Sequence, residues 1–170
     1  MRTIIPSYDV EKIVLVHYTD KTKKIILSNF KNYTKLEIFG CSYNNLDKLP
    51  DLPNSLTILD CSFNCLIKLP NLPNSLTKLI CNNNNLIKLP DLPNSLETLW
   101  CYDNNLTELP NLPNSLKYLE CRYNKLKELP DLPNSLIGFQ CYDNNLTYPN
   151  LEIKTINETN SKNRIIKRKY

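Results

Sequence analysis

"LPNLPNSLTKLICNNNNLIK", Leu69 to Lys88, follows "LPDLPNSLTILDCSFNCLIK" and precedes "LPDLPNSLETLWCYDNNLTE". Two prolines, a cysteine and an asparagine return every twenty residues, while the residues around the cysteine drift. Aligned on that cysteine, six copies begin at Leu36, Leu56, Leu76, Leu96, Leu116 and Leu136. All fit L-x-x-L-x-C-x-x-N-x-L, with Phe at the fourth position in the first and last. Positions four and six alternate with three and five, the period-two pattern of a short strand with one buried face. Leu59 and Cys61 are therefore expected to point inward, and Ile58 and Asp60 outward. One such strand cannot bury its apolar face alone. Stacked copies form a parallel sheet, each strand about 4.8 Å from the next.

The asparagines at 44, 64, 84, 104, 124 and 144 sit where the chain must leave the strand. An amide with two donors and an acceptor can bond the backbone groups such a turn leaves orphaned. Asn44, Asn64, Asn84, Asn104, Asn124 and Asn144 are thus read as structural. Proline pairs recur at 50/53, 70/73, 90/93, 110/113 and 130/133. Proline fixes φ, lacks an N–H and pushes the preceding residue toward extended conformations. The return path is therefore expected to be extended and polyproline-like rather than helical.

The repeated motif resembles the leucine-rich repeat, which carries apolar residues on the strand and Asn or Cys after it. The "LPxLP" wording and twenty-residue length are similar to the short repeats of secreted bacterial effectors that act inside host cells. The Asn-, Ile- and Lys-rich composition also resembles leucine-rich proteins of giant viruses of amoebae. The resemblance covers roughly Leu36 to Leu146. It implies a curved right-handed solenoid, of the α/β class by convention. A parallel sheet would line its concave face and non-helical segments its convex side. Three regions follow: a cap over 1–35, a repeat array over 36–150, and a closing strand with a basic tail over 151–170. In the first, residues 13–18 and 23–27 read as two strands around "TDKT", or as a degraded repeat. In the last, Leu151, Ile153 and Ile156 are expected to finish the stack, and the residues from about 157 to be disordered.

Charge and composition exclude several functions. The chain has 170 residues and a net charge of +4, of which the last ten residues carry five positive charges and no negative one. The body lacks the basic surface that coats nucleic acid. No stretch approaches the length of a spanning helix, and the N-terminal apolar run stands behind acidic residues, unlike a secretory leader. A cytoplasmic protein is expected.

Catalytic constellations are missing from the sequence. His17 is the single histidine, and it falls in an apolar segment. Effectors with such repeats often carry a separate ubiquitin-ligase domain, for which this chain has no room. Cys41, Cys61, Cys81, Cys101, Cys121 and Cys141 are read as a buried column of small apolar residues, not as disulfides or metal ligands. Cys65 stands outside the column and is the candidate accessible thiol. No cofactor is implied.

Variation concentrates at positions three, five, seven and eight, which are expected to face outward along the sheet. They include the only Trp and five of the ten Tyr. Outward aromatics and Arg are the residue types enriched in binding hot spots. Tyr43, Phe63, Trp100, Tyr102, Tyr118, Glu120, Arg122, Tyr123 and Tyr142 are the candidate partner-binding residues. Trp100 and Tyr118, diagonal neighbours, are expected to form one aromatic surface. The reading is a non-catalytic module that binds a protein, one of a host cell if the effector or viral resemblance holds. The alternative is nucleic-acid association or nuclear targeting through the basic tail.

Overall fold

A computed structural model describes residues 9–15 and 30–147 of the chain. The strands expected at 23–27 and beyond 151, His17, and the basic tail lie outside the described residues.

Seven three-residue strands run in chain order: β1 (Lys12–Val14), β2 (Ile38–Gly40), β3 (Ile58–Asp60), β4 (Lys78–Ile80), β5 (Thr98–Trp100), β6 (Tyr118–Glu120) and β7 (Gly138–Gln140). They form one parallel sheet in sequential order. From β2 onward the register advances by twenty residues, Leu59 opposite Leu79 and Leu79 opposite Leu99. This is the stacked parallel sheet that the periodicity predicts, and the solenoid that the resemblance to leucine-rich repeats implies. The return segments between strands are non-helical, and the only helical element among the described residues is a 3₁₀ turn, Phe30–Asn32.

Each strand buries its central residue and turns its flanks outward. Leu59, Leu79, Leu99 and Leu119 are fully buried, as are Cys61, Cys81, Cys101 and Cys121. The first and last leucines of the motif close the same core from the two sides. Pro53, Pro73, Pro93, Pro113 and Pro133 are buried too, and each offers its carbonyl to the N–H three residues on, as in Leu76 to Pro73 at 3.0 Å. That bond closes a turn over the Asn-Ser pair, from which the chain re-enters the sheet.

Neighbouring turns are stapled at two polar points. Asn84 Nδ2 donates to its own turn, Cys81 O at 3.1 Å, and to the turn before, Cys61 O at 3.0 Å. Its Oδ1 accepts the Leu66 N–H at 3.0 Å. Asn104 and Asn124 repeat this geometry. The second staple was not legible as such in the sequence. Ser75 Oγ donates to Leu56 O and Ser95 Oγ to Leu76 O, both at 2.7 Å, and Ser55, Ser115 and Ser135 bond in the same way. The serine of "LPNSL" is thus a hydrogen-bonded link between turns.

The N-terminal end differs. β1 pairs with β2 in parallel, but Lys12 lies opposite Ile38, a step of twenty-six residues. Ile13 is buried there, with Val10 and Leu15 packed against the core. Phe30, Tyr33 and Phe39 fill the space beneath, with ring centroids 5.4 and 4.8 Å apart.

Candidate protein-binding face

The outer face of the sheet is built in rows, because parallel register places equal positions side by side. Position three reads Ile38, Ile58, Lys78, Thr98, Tyr118, Gly138, and position five Gly40, Asp60, Ile80, Trp100, Glu120, Gln140. Backbone bonds between turns continue beyond the strands, from Phe63 N to Asn82 O at 3.0 Å and from Tyr123 N to Tyr142 O at 3.1 Å.

At position eight every repeat enters the left-handed region. Tyr43, Phe63, Asn83, Asp103, Tyr123 and Asp143 have φ between 51° and 60°. Asn and Asp tolerate this conformation, because their short polar side chains bond locally, whereas bulky residues are strained in it. A chain with only two glycines makes its tightest turn without one. In the sequence only the Asn or Asp of three copies hints that this position is left-handed, and no glycine marks it.

Position seven departs from expectation. Ser62 and Asn82 are buried, 5% and 2% exposed, rather than facing outward. The row lies in the crease where the chain leaves the sheet, so Ser62 and Asn82 are covered there, while Ser42 in the first copy is half-buried. Ser62 Oγ donates to Asp60 at 2.7 Å, and Asn82 Nδ2 donates to Asn83 Oδ1 at 2.8 Å. Tyr102, Arg122 and Tyr142 are long enough to reach out and are half-buried.

The aromatic residues fall into two groups. Tyr43 and Phe63 stack, centroids 4.1 Å apart and planes 9° from parallel. Toward the C-terminal end the organiser is Arg122. Its guanidinium lies 3.8 Å from the Tyr102 ring centroid, with Tyr123 and Tyr142 at 5.7 and 5.8 Å. Nε donates to Gln140 Oε1 at 3.1 Å, while the Nη2 contact with Glu120 is longer, 3.5 Å. Tyr123 and Tyr142 meet edge to face at 5.4 Å. Tyr142, then partial desolvation and Asp143, push the Tyr123 phenol up, against the lowering effect of Arg122.

Trp100 and Tyr118 do not pair as expected. Tyr118 leans over Gly138 on the far side, where an added Cβ would come within 2.9 Å of its ring. Trp100 instead carries the Lys78 ammonium 5.1 Å from its centroid. A diagonal register allows two rings to meet; the open surface of a glycine on the other side draws one of them away.

The thiols offer no nucleophile on this face. Burial pushes Cys41, Cys61, Cys81 and Cys121 far up, and Cys101 up to about 12. Cys141, in the last turn, is half-buried and raised less, and Cys65 is exposed. Among the described residues no group of His, Cys, Asp or Glu is arranged to hold a metal ion. No helix among them is long and apolar enough to cross a membrane.

Three solved structures share this geometry. YopM from Yersinia enterocolitica WA-314 matches with a TM-score of 0.66 and 41% identity, over 66% of this chain and 25% of that one. A Shigella effector leucine-rich-repeat domain matches at 0.61 and 43%, over 62% and 49%. YopM from Yersinia pestis, a leucine-rich effector protein, matches at 0.60 and 33%, over 82% and 44%. The repeats are leucine-rich repeats of the bacterial-effector type. This leucine-rich solenoid spans between 25% and 49% of the length of those chains. No protein-family model matches it, and no curated protein does. The fold is that of a protein-interaction module, since each turn contacts only its neighbours and leaves a continuous face for a partner.

Proposed function

We propose that this protein is a non-catalytic binding solenoid whose protein partner docks on the concave face. The docking residues are Tyr43, Phe63, Trp100, Tyr102, Tyr118, Glu120, Arg122, Tyr123 and Tyr142. One observation carries the reading. Tyr43, Phe63 and Tyr123 occupy left-handed positions, where Asn83, Asp103 and Asp143 show what the fold alone would accept. A bulky side chain there costs about 1 kcal/mol or more, yet the three rings remain 49%, 36% and 48% exposed. Burial in the solenoid's own core therefore does not offset the strain, and a partner that covers the rings would. The repeat array, 36–150, is the binding unit. The similar structures are effectors by name, and the same reading gives this chain a partner in the cytoplasm of a host cell.

The test replaces all three by the residue at the matching position of another turn: Tyr43→Asn, Phe63→Asn and Tyr123→Asn together. Loss of the Tyr43–Phe63 stack removes about 0.5–1.5 kcal/mol, and relief of strain at three sites offsets it. Thermal unfolding is expected at the same or higher temperature, while capture of the natural partner from host-cell extract is lost. A convex-side control, Ile67→Thr with Ile87→Thr, keeps the partner. Retention of every partner by the three-asparagine variant, with its fold intact, overturns the reading.

A further inference from the structure

The concave face has a charge character that the rest of the described chain lacks. Its outward positions, taken together with position two at the entry to each strand, hold six acidic side chains, Glu37, Asp60, Glu97, Asp103, Glu120 and Asp143, against three basic ones, Lys78, Lys117 and Arg122. The remaining described residues hold eight of each sign, so the net negative charge of the described chain sits on this face.

All three bases are engaged by the face itself. Lys117 Nζ lies 2.9 Å from the Glu97 carboxylate. Lys78 rests over Trp100, and Arg122 over Tyr102 with its Nε on Gln140. Two of the three cations thus lie on aromatic rings, the arrangement in which a ring's negative face attracts positive charge. The acids of the C-terminal turns are less compensated. Asp103 accepts from the Asn83 amide, a neutral donor that leaves the carboxylate charge in place, and Asp143 stands near the Tyr123 phenol and helps to push it up. Among the described residues Glu120 has only the long contact to Arg122 on its acidic oxygen. Between these carboxylates stand Tyr118 and Tyr123, exposed and with ring surface open. An approaching anion would have to displace Arg122 from its ring and face three carboxylates. A cation finds carboxylates and ring faces already placed.

We propose that the partner docks on this part of the face through a basic segment. Its Lys and Arg side chains lie over Tyr118 and Tyr123 and pair with Asp103, Glu120 and Asp143. The inference rests on the concave face being the docking face, and supplies the chemistry of what docks.

The experiment uses the full chain and two peptide probes, nona-arginine and nona-glutamate, at an ionic strength of about 0.15 M, where distant charges are screened. Trp100 is the only tryptophan and lies opposite Glu120 in the sheet, so its emission reports on the site. Nona-arginine is expected to change that emission saturably and nona-glutamate to leave it unchanged. Asp103→Asn, Glu120→Gln and Asp143→Asn together weaken nona-arginine at least tenfold. Glu108→Gln, Glu128→Gln and Asp131→Asn, which remove three charges from the convex side, change it less than twofold. The inference is overturned if both triple variants bind nona-arginine equally, or if nona-glutamate is preferred. It is also overturned, with the docking face itself left standing, if the three-asparagine variant loses the natural partner while nona-arginine fails to bind the unaltered chain.

Discussion

From Cys41 to Cys121 a line through the solenoid meets the same thiol in every turn, each buried without exposure. A parallel line along the face, from Tyr43 to Asp143, meets Tyr, Phe, Asn, Asp, Tyr and Asp, all held at the same backbone angle. Both lines are set by one repeating backbone, yet one is constant and the other varies. The inner line is constrained by volume, because turns about 4.8 Å apart leave room for little more than a thiol beside the leucines. The outer line is constrained only at the backbone. Side chains there can change without opening a cavity, and that is where specificity for a partner can be written.

The largest way to break this contrast is alkaline pH. In the folded chain burial holds the five innermost column thiols protonated, well above their ordinary value of 9.0. In the unfolded chain they ionise near that ordinary value. Folding therefore binds protons above it: stability is full below about pH 9 and falls as pH rises. With five thiols the slope approaches about 7 kcal/mol per pH unit. Urea unfolding followed from pH 8 to 10.5 should show this collapse; a flat profile would place the thiols in contact with water. Cys65 and then Cys141 should react with a thiol reagent in the native state, well before the other five.

The next contrast is between sequence neighbours. Leu99→Ala opens a cavity beneath β5 and should cost about 2–5 kcal/mol. Trp100→Ala, one residue on but outward, should cost less than about 1 kcal/mol and instead weaken partner binding by about 2 kcal/mol. Equal destabilisation by the two would show that Trp100 belongs to the core rather than to the face.

The polar staples rank below these. Asn84→Ala leaves the Leu66 N–H and the Cys61 and Cys81 carbonyls short of a partner, and should cost about 2–3 kcal/mol. Ser95→Ala removes a hydroxyl that donates to Leu76 O near the surface, and should cost about 1 kcal/mol. Urea midpoints at a constant slope measure both. If the serine variant matched the asparagine variant, the turn over "LPNSL" rather than the strand exit would be the main joint between repeats.

Much of this was legible before any coordinates. Inward Leu99 and Cys101, outward Thr98 and Trp100, the turn at Asn104 and the non-helical "LPNLP" return follow from period-two alternation and from proline's covalent restrictions. Both act within a few residues of chain. The twenty-residue period then dictates which residues become neighbours in the sheet. The exposed Tyr43, Phe63, Tyr118 and Tyr123 could be placed on one face by the same count.

What only the stacked turns decided lies between repeats. Ser75 becomes a link because the carbonyl it needs belongs to Leu56, a turn away. Asn84 reaches back to Cys61 and Leu66 for the same reason. Ser62 and Asn82 sink into the crease because their neighbours along the solenoid cover them. The left-handed angle at Tyr43, Phe63 and Tyr123 follows from the shared path of the stacked turns, not from any glycine that would mark it. Tyr118 turns from Trp100 toward Gly138 because a missing Cβ leaves space on that side. The sequence by itself determined the period and which way each residue points, because those are local properties of the chain. The tertiary structure decided which groups meet, because distances between turns exist only once the turns are stacked.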